Sequence, residues 1–357
     1  MGKKMTIFLA AVGTAILILD TQTAMLGAKE GLDLCLRTVI PSLFPFFILS
    51  GILTSSLLDA RVSCLSGLLK HLGIPQSAVS LLGIGFLGGY PVGAQAVANA
   101  MKQGALSKTS AKRMIAFCNN AGPSFLFGIV APAFAQRWAC WAIWCILIIS
   151  SLLVAYFLPE KETDQGRKIA TSSLSLPAAM NRALKAMANV CGWVILFRVV
   201  IRVFDRWLLW MMPNQPRIMI CGILELSNGC AMLRNITSTG SRLIMAALFL
   251  SFGGICVPMQ TASAVSSAGL SLTHYFPGKS LQAALSMGFA YLLQMFLPIE
   301  DQTTAEELPF YGIVFVLFLA FAVIFMYNHK KTENRRWMKC CFAKKLPALA
   351  NTANMQL

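Results

Sequence analysis

Residues 117–130 read FCNNAGPSFLFGIV and sit inside a charge-free run from Met114 to Gln136. That run matches the roughly 20 apolar residues a spanning helix needs. Near its midpoint stands Asn119–Asn120–Ala121–Gly122–Pro123, where proline and glycine each weaken a helix. Irregular backbone at membrane depth is tolerated only where it is buried in protein or lines a wet cavity. The stretch therefore predicts a discontinuous membrane helix with something built around its break.

The rest of the chain fits that setting. Of its 357 residues, 57% are hydrophobic and 12% charged, against about a quarter charged in soluble domains. Further charge-free stretches occur at 72–101, 138–159, 207–216, 280–299 and 308–328. No long alternating pattern suggests a barrel. The fold class expected is an all-α polytopic membrane protein. The net charge of +16 gathers between apolar runs, as the positive-inside rule requires. Its largest cluster is the tail: Lys330, Lys331, Arg335, Arg336, Lys339, Lys344 and Lys345. Such a tail attracts anionic lipid headgroups. Nucleic acid is not an expected partner, because no base-stacking or groove-reading module accompanies the charge.

Charge placement gives a topology with both the linker and the tail in the cytoplasm. Residues 1–29 hold an N-terminal transmembrane helix (a span near 5–23, with no convincing cleavage site after it), and Lys29 to Arg37 form an outer amphipathic segment. A first repeat covers 30–160, with spans near 38–58, 114–135 and 138–158 and a re-entrant hairpin at 78–101. A cytoplasmic linker, 161–182, leads to a second repeat, 183–328. That repeat has spans near 187–209, 243–270, 280–298 and 309–327 and a re-entrant hairpin at 217–235. The acidic loop Glu300–Asp301 to Glu306–Glu307 then lies outside, and the basic tail, 329–357, inside.

The halves echo each other. GFLGGYPVGAQAV (85–97) sits where GILELSNGCAMLR (222–234) sits later, and FCNNAGPSFLFG (117–128) where SFGGICVPMQTA (251–262) sits. Because the halves start from opposite sides, this is an inverted-topology repeat, an arrangement found in secondary transporters with the site where broken helices meet. Three breaks share one design of flexible residues followed by proline: Gly88–Gly89–Tyr90–Pro91, Asn120–Ala121–Gly122–Pro123, and Gly253–Gly254 through Pro258. Proline suits the first helical turn and glycine permits the turn before it. New half-helices offer N–H groups to an anion or polar oxygen, and freed carbonyls suit a cation.

The candidate substrate- or ion-binding residues are Gly88, Gly89, Tyr90, Pro91, Gln95, Asn119, Asn120, Gly122, Pro123, Ser124, Glu225, Ser227, Asn228, Gly253, Gly254 and Gln260. Glu225 is the only carboxylate within the four breaks. Buried without a partner it would be neutral, able to exchange a proton, pair with Na⁺ or accept a hydrogen bond from a ligand hydroxyl. Arg198, Arg202 and Arg206 share one helix face; they line an anion path, snorkel to headgroups or pair with Asp205. Eleven cysteines show no metal spacing and read as core packing; Cys340–Cys341 is placed for lipidation. No metal and no cofactor is expected. With His71, His274 and His329 outside any HExxH motif and no GxSxG elbow, neither is an enzyme.

GGYPVGAQAV (88–97), AFCNNAGPSFLFG (116–128), LELSNG (224–229) and SFGGICVPMQ (251–260), in this order, resemble the nucleoside-recognition, or Gate-domain, membrane proteins. The resemblance covers about 30–330 and is closest to members with a part in sporulation. It implies a concentrative-nucleoside-transporter-like fold with broken helices. By that similarity Gly89, Asn119, Asn120, Glu225, Asn228 and Gln260 line a central site. It also implies a role in spore maturation. No P-loop is present, which argues against an autonomous iron transporter of the FeoB type. Two functions stand: a transporter moving a small polar solute, nucleoside-like or an ion, coupled to H⁺ or Na⁺; and a non-transporting sporulation membrane protein acting through partners. Either is compatible with a homo-oligomer.

Overall fold

The computed structural model describes residues 3–57, 72–74, 78–158, 174–266, 268–296 and 307–327. Its helices in chain order are α1 (Lys3–Leu19), α2 (Thr21–Leu34), α3 (Ile40–Leu57), α4 (Val79–Gly88), α5 (Val92–Lys102) and α6 (Lys108–Cys118). There follow α7 (Pro123–Phe125, continued by a π turn and a 3-10 turn to Ala133), α8 (Trp138–Phe157), α9 (Leu176–Trp207), α10 (Asn214–Leu224) and α11 (Leu226–Met232). The remainder are α12 (Thr239–Phe252), α13 (Cys256–Ser266), α14 (Tyr275–Phe296) and α15 (Leu308–Tyr327). No strand occurs among the described residues. The basic tail with Cys340–Cys341, most of the 161–182 linker and the acidic loop as far as Glu306 lie outside them.

Among the described residues, six segments are long and apolar enough to cross a membrane: Thr21–Leu49, Lys108–Ala133, Trp138–Phe157, Leu176–Trp207, Thr239–Ser266 and Leu308–Tyr327. The expected span at 5–23 is instead the shorter α1, which stops where Asp20 accepts a bond from Thr23 N (3.4 Å) and caps α2. Lys29 to Arg37 are not a separate segment. They are helical, and a π turn at Cys35–Val39 joins α2 to α3. The helix α14, expected to span, is not among the six, because Lys279, Gln282, Ser286 and Gln294 dilute its apolar character; all four are buried.

The continuity of α2 has a tertiary cause. It lies along α9, and Gly27 and Gly31 let the two backbones touch: a Cβ on either would stand 2.9 Å from the Cα of Val199 or Ile195. Small residues four apart are a common close-packing device between membrane helices. Glu30, between those glycines, pairs with Arg198 at 2.8 Å and with Arg202 at 3.7 Å, and Asp20 pairs with Arg206 at 3.4 Å. Asp205 takes Arg202 at 3.7 Å and Arg217 at 2.6 Å. The arginine stripe is thus committed to acidic partners, mainly on α2, and is not arranged as an anion path.

Toward the centre, two helical hairpins carry the breaks. In α4–α5, a Cβ on Gly93 would lie 3.0 Å from Gly85 Cα, and one on Gly85 would lie 1.8 Å from the Cys118 carbonyl oxygen. In α10–α11, a Cβ on Gly229 would lie 2.2 Å from Gly222 Cα, and one on Gly222 would lie 2.3 Å from the Phe249 ring. Each hairpin is therefore closed glycine on glycine and pressed by the helix that follows it, α6 or α12. Those two helices also begin alike, with Ser107 accepting from Ser110 N (3.1 Å) and Ser238 from Ser241 N (3.2 Å).

They end alike too. The helix α6 stops at Cys118, and Pro123 opens the next helical stretch. The helix α12 stops at Phe252 and is capped by Gly253, whose φ of +84° is a left-handed conformation suited to glycine. Pro258 is the third residue of α13, within its first turn, and Pro91 immediately precedes α5. The break expected across 217–235 is narrow: Glu225 alone, in extended conformation, separates α10 from α11.

Candidate functional site

The four breaks converge. Gly89 abuts Gly122, with a Cβ on either passing 3.1 Å from the other's backbone. In the second half, Ile255 N donates to the Ile223 carbonyl at 2.7 Å. Among the bonds that tie one half to the other, Tyr90 Oη donates to the Leu250 carbonyl (2.8 Å), and Asn119 Nδ2 donates to Thr261 Oγ1 (2.9 Å). Removing the first with Tyr90→Phe is expected to lower stability by about 1 kcal/mol, read by thermal unfolding in detergent; no change would mean that bond does not form.

Between the breaks lies a narrow cleft of about 30 Å³, room for a water or two until its walls move apart. Every break contributes to its lining: Gly89 and Tyr90, Gly122 and Ser124, Glu225 and Ser227, and Gln260. Leu43 and Phe47 of α3 and Val190 of α9 supply apolar wall. Polar groups at a few points on an otherwise apolar surface can orient a small polar molecule.

The other sequence candidates take different places. Gly88 and Pro91 flank the first turn, and Pro123 opens α7. Gly253 and Gly254 make the last turn, and a Cβ on Gly254 would lie 3.0 Å from the Gly222 carbonyl oxygen. Gln95 is exposed and away from the cleft, because α5 turns that position outward while burying Gly93 and Ala94. Asn119 and Asn120 are fully buried behind the cleft. Asn119 Oδ1 finds no donor among the described residues.

Glu225 is 1% exposed and has partners, contrary to the picture of a buried acid left alone. Its Oε1 accepts from Ser227 N at 3.0 Å and from the Cys256 thiol at 3.4 Å. Its Oε2 accepts from both Asn228 N and Asn228 Nδ2 at 2.7 Å. The carboxylate is the N-cap of α11, satisfying donors that a helix start otherwise leaves open. Asn228 serves Glu225 and does not line the cleft.

Sequence reading missed the most polar feature nearby. Lys279 on α14 is 0% exposed, and its Nζ donates to Asn120 Oδ1 at 2.9 Å and to Gln282 Oε1 at 2.8 Å. Gln282 Nε2 donates to the same Asn120 Oδ1 at 2.9 Å. Below them Ser151 Oγ donates to the Phe117 carbonyl (2.6 Å), as does Asn120 Nδ2 (2.7 Å). The signal available was a lysine and a glutamine three residues apart at the head of an apolar run, one helical face. The expected 280–298 span began one residue after Lys279 and left it out.

No protein-family model and no solved structure matches the chain. In sequence it is similar to the sporulation integral membrane protein YlbJ of Bacillus subtilis (strain 168), with 25% identity over 325 residues, covering 78% of this chain and 80% of the relative. With its several long apolar helices and this homology, the chain is an integral membrane protein.

Proposed function

We propose that the chain is a transporter of the gate type for a small polar solute, nucleoside-like or an ion, coupled to H⁺ or Na⁺. It sits in a bacterial cell membrane with its C-terminus in the cytoplasm and serves sporulation, the process for which its relative is named. The observation that carries the reading is the convergence of four helix breaks on one cleft. Matched glycine crossings at Gly85–Gly93 and Gly222–Gly229, with matched caps on α6 and α12, support an inverted repeat with two re-entrant hairpins. Rocking one repeat against the other around the breaks gives alternating access. The basic tail holds anionic headgroups on the cytoplasmic side.

The test is a screen of purified protein with nucleosides, metal ions and small anions, by thermal shift and by uptake into proteoliposomes. A solute at 100 times its Kd stabilises the folded state by about 2.7 kcal/mol. At least one class is expected to shift wild-type protein and to leave Gln260→Leu unshifted. No shift and no uptake with any class would remove the transport reading. One observation favours a role through partner proteins instead: the relative is named for sporulation and not for transport. On that reading a sporulation phenotype is lost when 330–357 are deleted and kept in Gln260→Leu.

A further inference from the structure

Lys279 is the one fully buried lysine among the described residues, and its surroundings are unusual for a charge. Among the described ion pairs none includes it. Its partners are two amide oxygens, Asn120 Oδ1 and Gln282 Oε1, and the faces of Tyr90 and Tyr275, whose ring centres lie 5.4 and 6.0 Å from Nζ. These are cation–π distances.

The other titratable or charged groups on the elements packed around it leave it without a counter-ion. Cys118 closes α6. Arg113, also on α6, is bound to the carbonyls of Leu72, Gly73, Ala155 and Leu158. The helix α8 carries no Asp, Glu, Lys or Arg. The helix α12 carries only Arg242, which sits on the Ala133 and Thr237 carbonyls.

We infer that Lys279 is a proton-binding site, and that its occupancy is transmitted to the cleft through Asn120 and Tyr90. A buried ammonium held by a carboxylate cannot shed its proton without stranding an anion, so such a pair is static. Neutral ligands strand nothing: they bind the ammonium through charge-assisted bonds and still accept from the amine. Ionisable groups buried in membrane helices are costly and mark proton paths, and lysine alters its protonation readily when buried. The step is one proton, taken by Nζ from water and returned to water, with no bond changed but N–H.

The transmission is short. Asn120 immediately precedes Ala121 and Gly122, which line the cleft, and the Tyr90 ring beneath Nζ lines it too. Losing the proton removes the attraction to that ring and weakens the hold on Asn120, loosening the first and second breaks together. Coupling of this site to transport rests on the transporter reading, and the site then selects H⁺ over Na⁺, because the oxygens that a metal cation would take already hold an ammonium.

The experiment uses the full chain, labelled with [15N]lysine, in lipid nanodiscs. One Nζ resonance is expected to move with pH in a range where exposed lysines stay constant, and to vanish in Lys279→Arg. In Asn120→Asp, which sets a carboxylate beside Nζ, that resonance is expected to keep its protonated position across the same range; this arm serves if Lys279→Arg does not fold. Lysine resonances that are all static in wild type, or a moving one that survives Lys279→Arg, overturn the proposal. Proteoliposome uptake separates the two readings. A titrating Lys279 with no transported solute sinks the transport reading and leaves the proton site standing. Uptake driven by a Na⁺ gradient, with Lys279 static, does the reverse.

Discussion

Gly85→Ala is expected to leave almost no folded protein, whereas Gly83→Ala on the same helix should be neutral or mildly stabilising. A Cβ on Gly85 would stand 1.8 Å from the Cys118 carbonyl oxygen, while a Cβ on Gly83 meets nothing within 4 Å. Overpacking ordinarily costs about 1–3 kcal/mol because side chains can move aside. Here the obstacle is backbone at the end of α6, next to the second break, so the cost should reach or exceed about 3 kcal/mol. At Gly83 the usual helical gain of alanine over glycine, about 0.5–1 kcal/mol, applies. Thermal unfolding of both variants in one detergent reads the contrast directly. Equal stability of the two would show that α4 does not cross α6 at Gly85.

The second large effect belongs to Glu225. Glu225→Gln replaces one acceptor oxygen with an N–H₂ group facing donors from Ser227 or Asn228, and removes the charge that strengthened every bond there. Hydrogen bonds to charged groups are worth about 1.5–3 kcal/mol each, so a loss of about 2–4 kcal/mol is expected. Glu225→Asp keeps a carboxylate of N-cap type but draws it back from the cleft. Stability recovered in Glu225→Asp together with solute binding would assign the carboxylate to the helix cap alone. Stability recovered with binding still lost would place the carboxylate on the solute. Wild-type stability in Glu225→Gln would mean that the cap geometry is wrong.

Residues differ in how far the sequence alone speaks for them. The positions of the breaks were legible in the chain, because Gly–Pro and Asn–Asn clusters act on their own backbone whatever surrounds them. The cleft lining at Gly89, Tyr90, Gly122, Ser124, Glu225, Ser227 and Gln260 follows from those breaks meeting. Gln95 looked equivalent on paper, yet α5 turns it outward; a residue's distance from a break says nothing about its direction. Lys29 to Arg37 read as an outer segment because charge usually marks the water boundary. In the structure Glu30 finds Arg198 and Arg202 on α9, 168 residues along the chain in the case of Arg198, and the helix continues.

What the sequence alone determined is the membrane setting, the helical class and the places where helices give way, since hydropathy and backbone freedom are properties of short segments. What only the tertiary structure decided is who partners whom. Glu225 has its donors from the next turn and from Cys256, 31 residues on, and Lys279 has Asn120, 159 residues away. A buried charge is set by the groups packed around it, and packing between distant segments leaves no local mark in the chain.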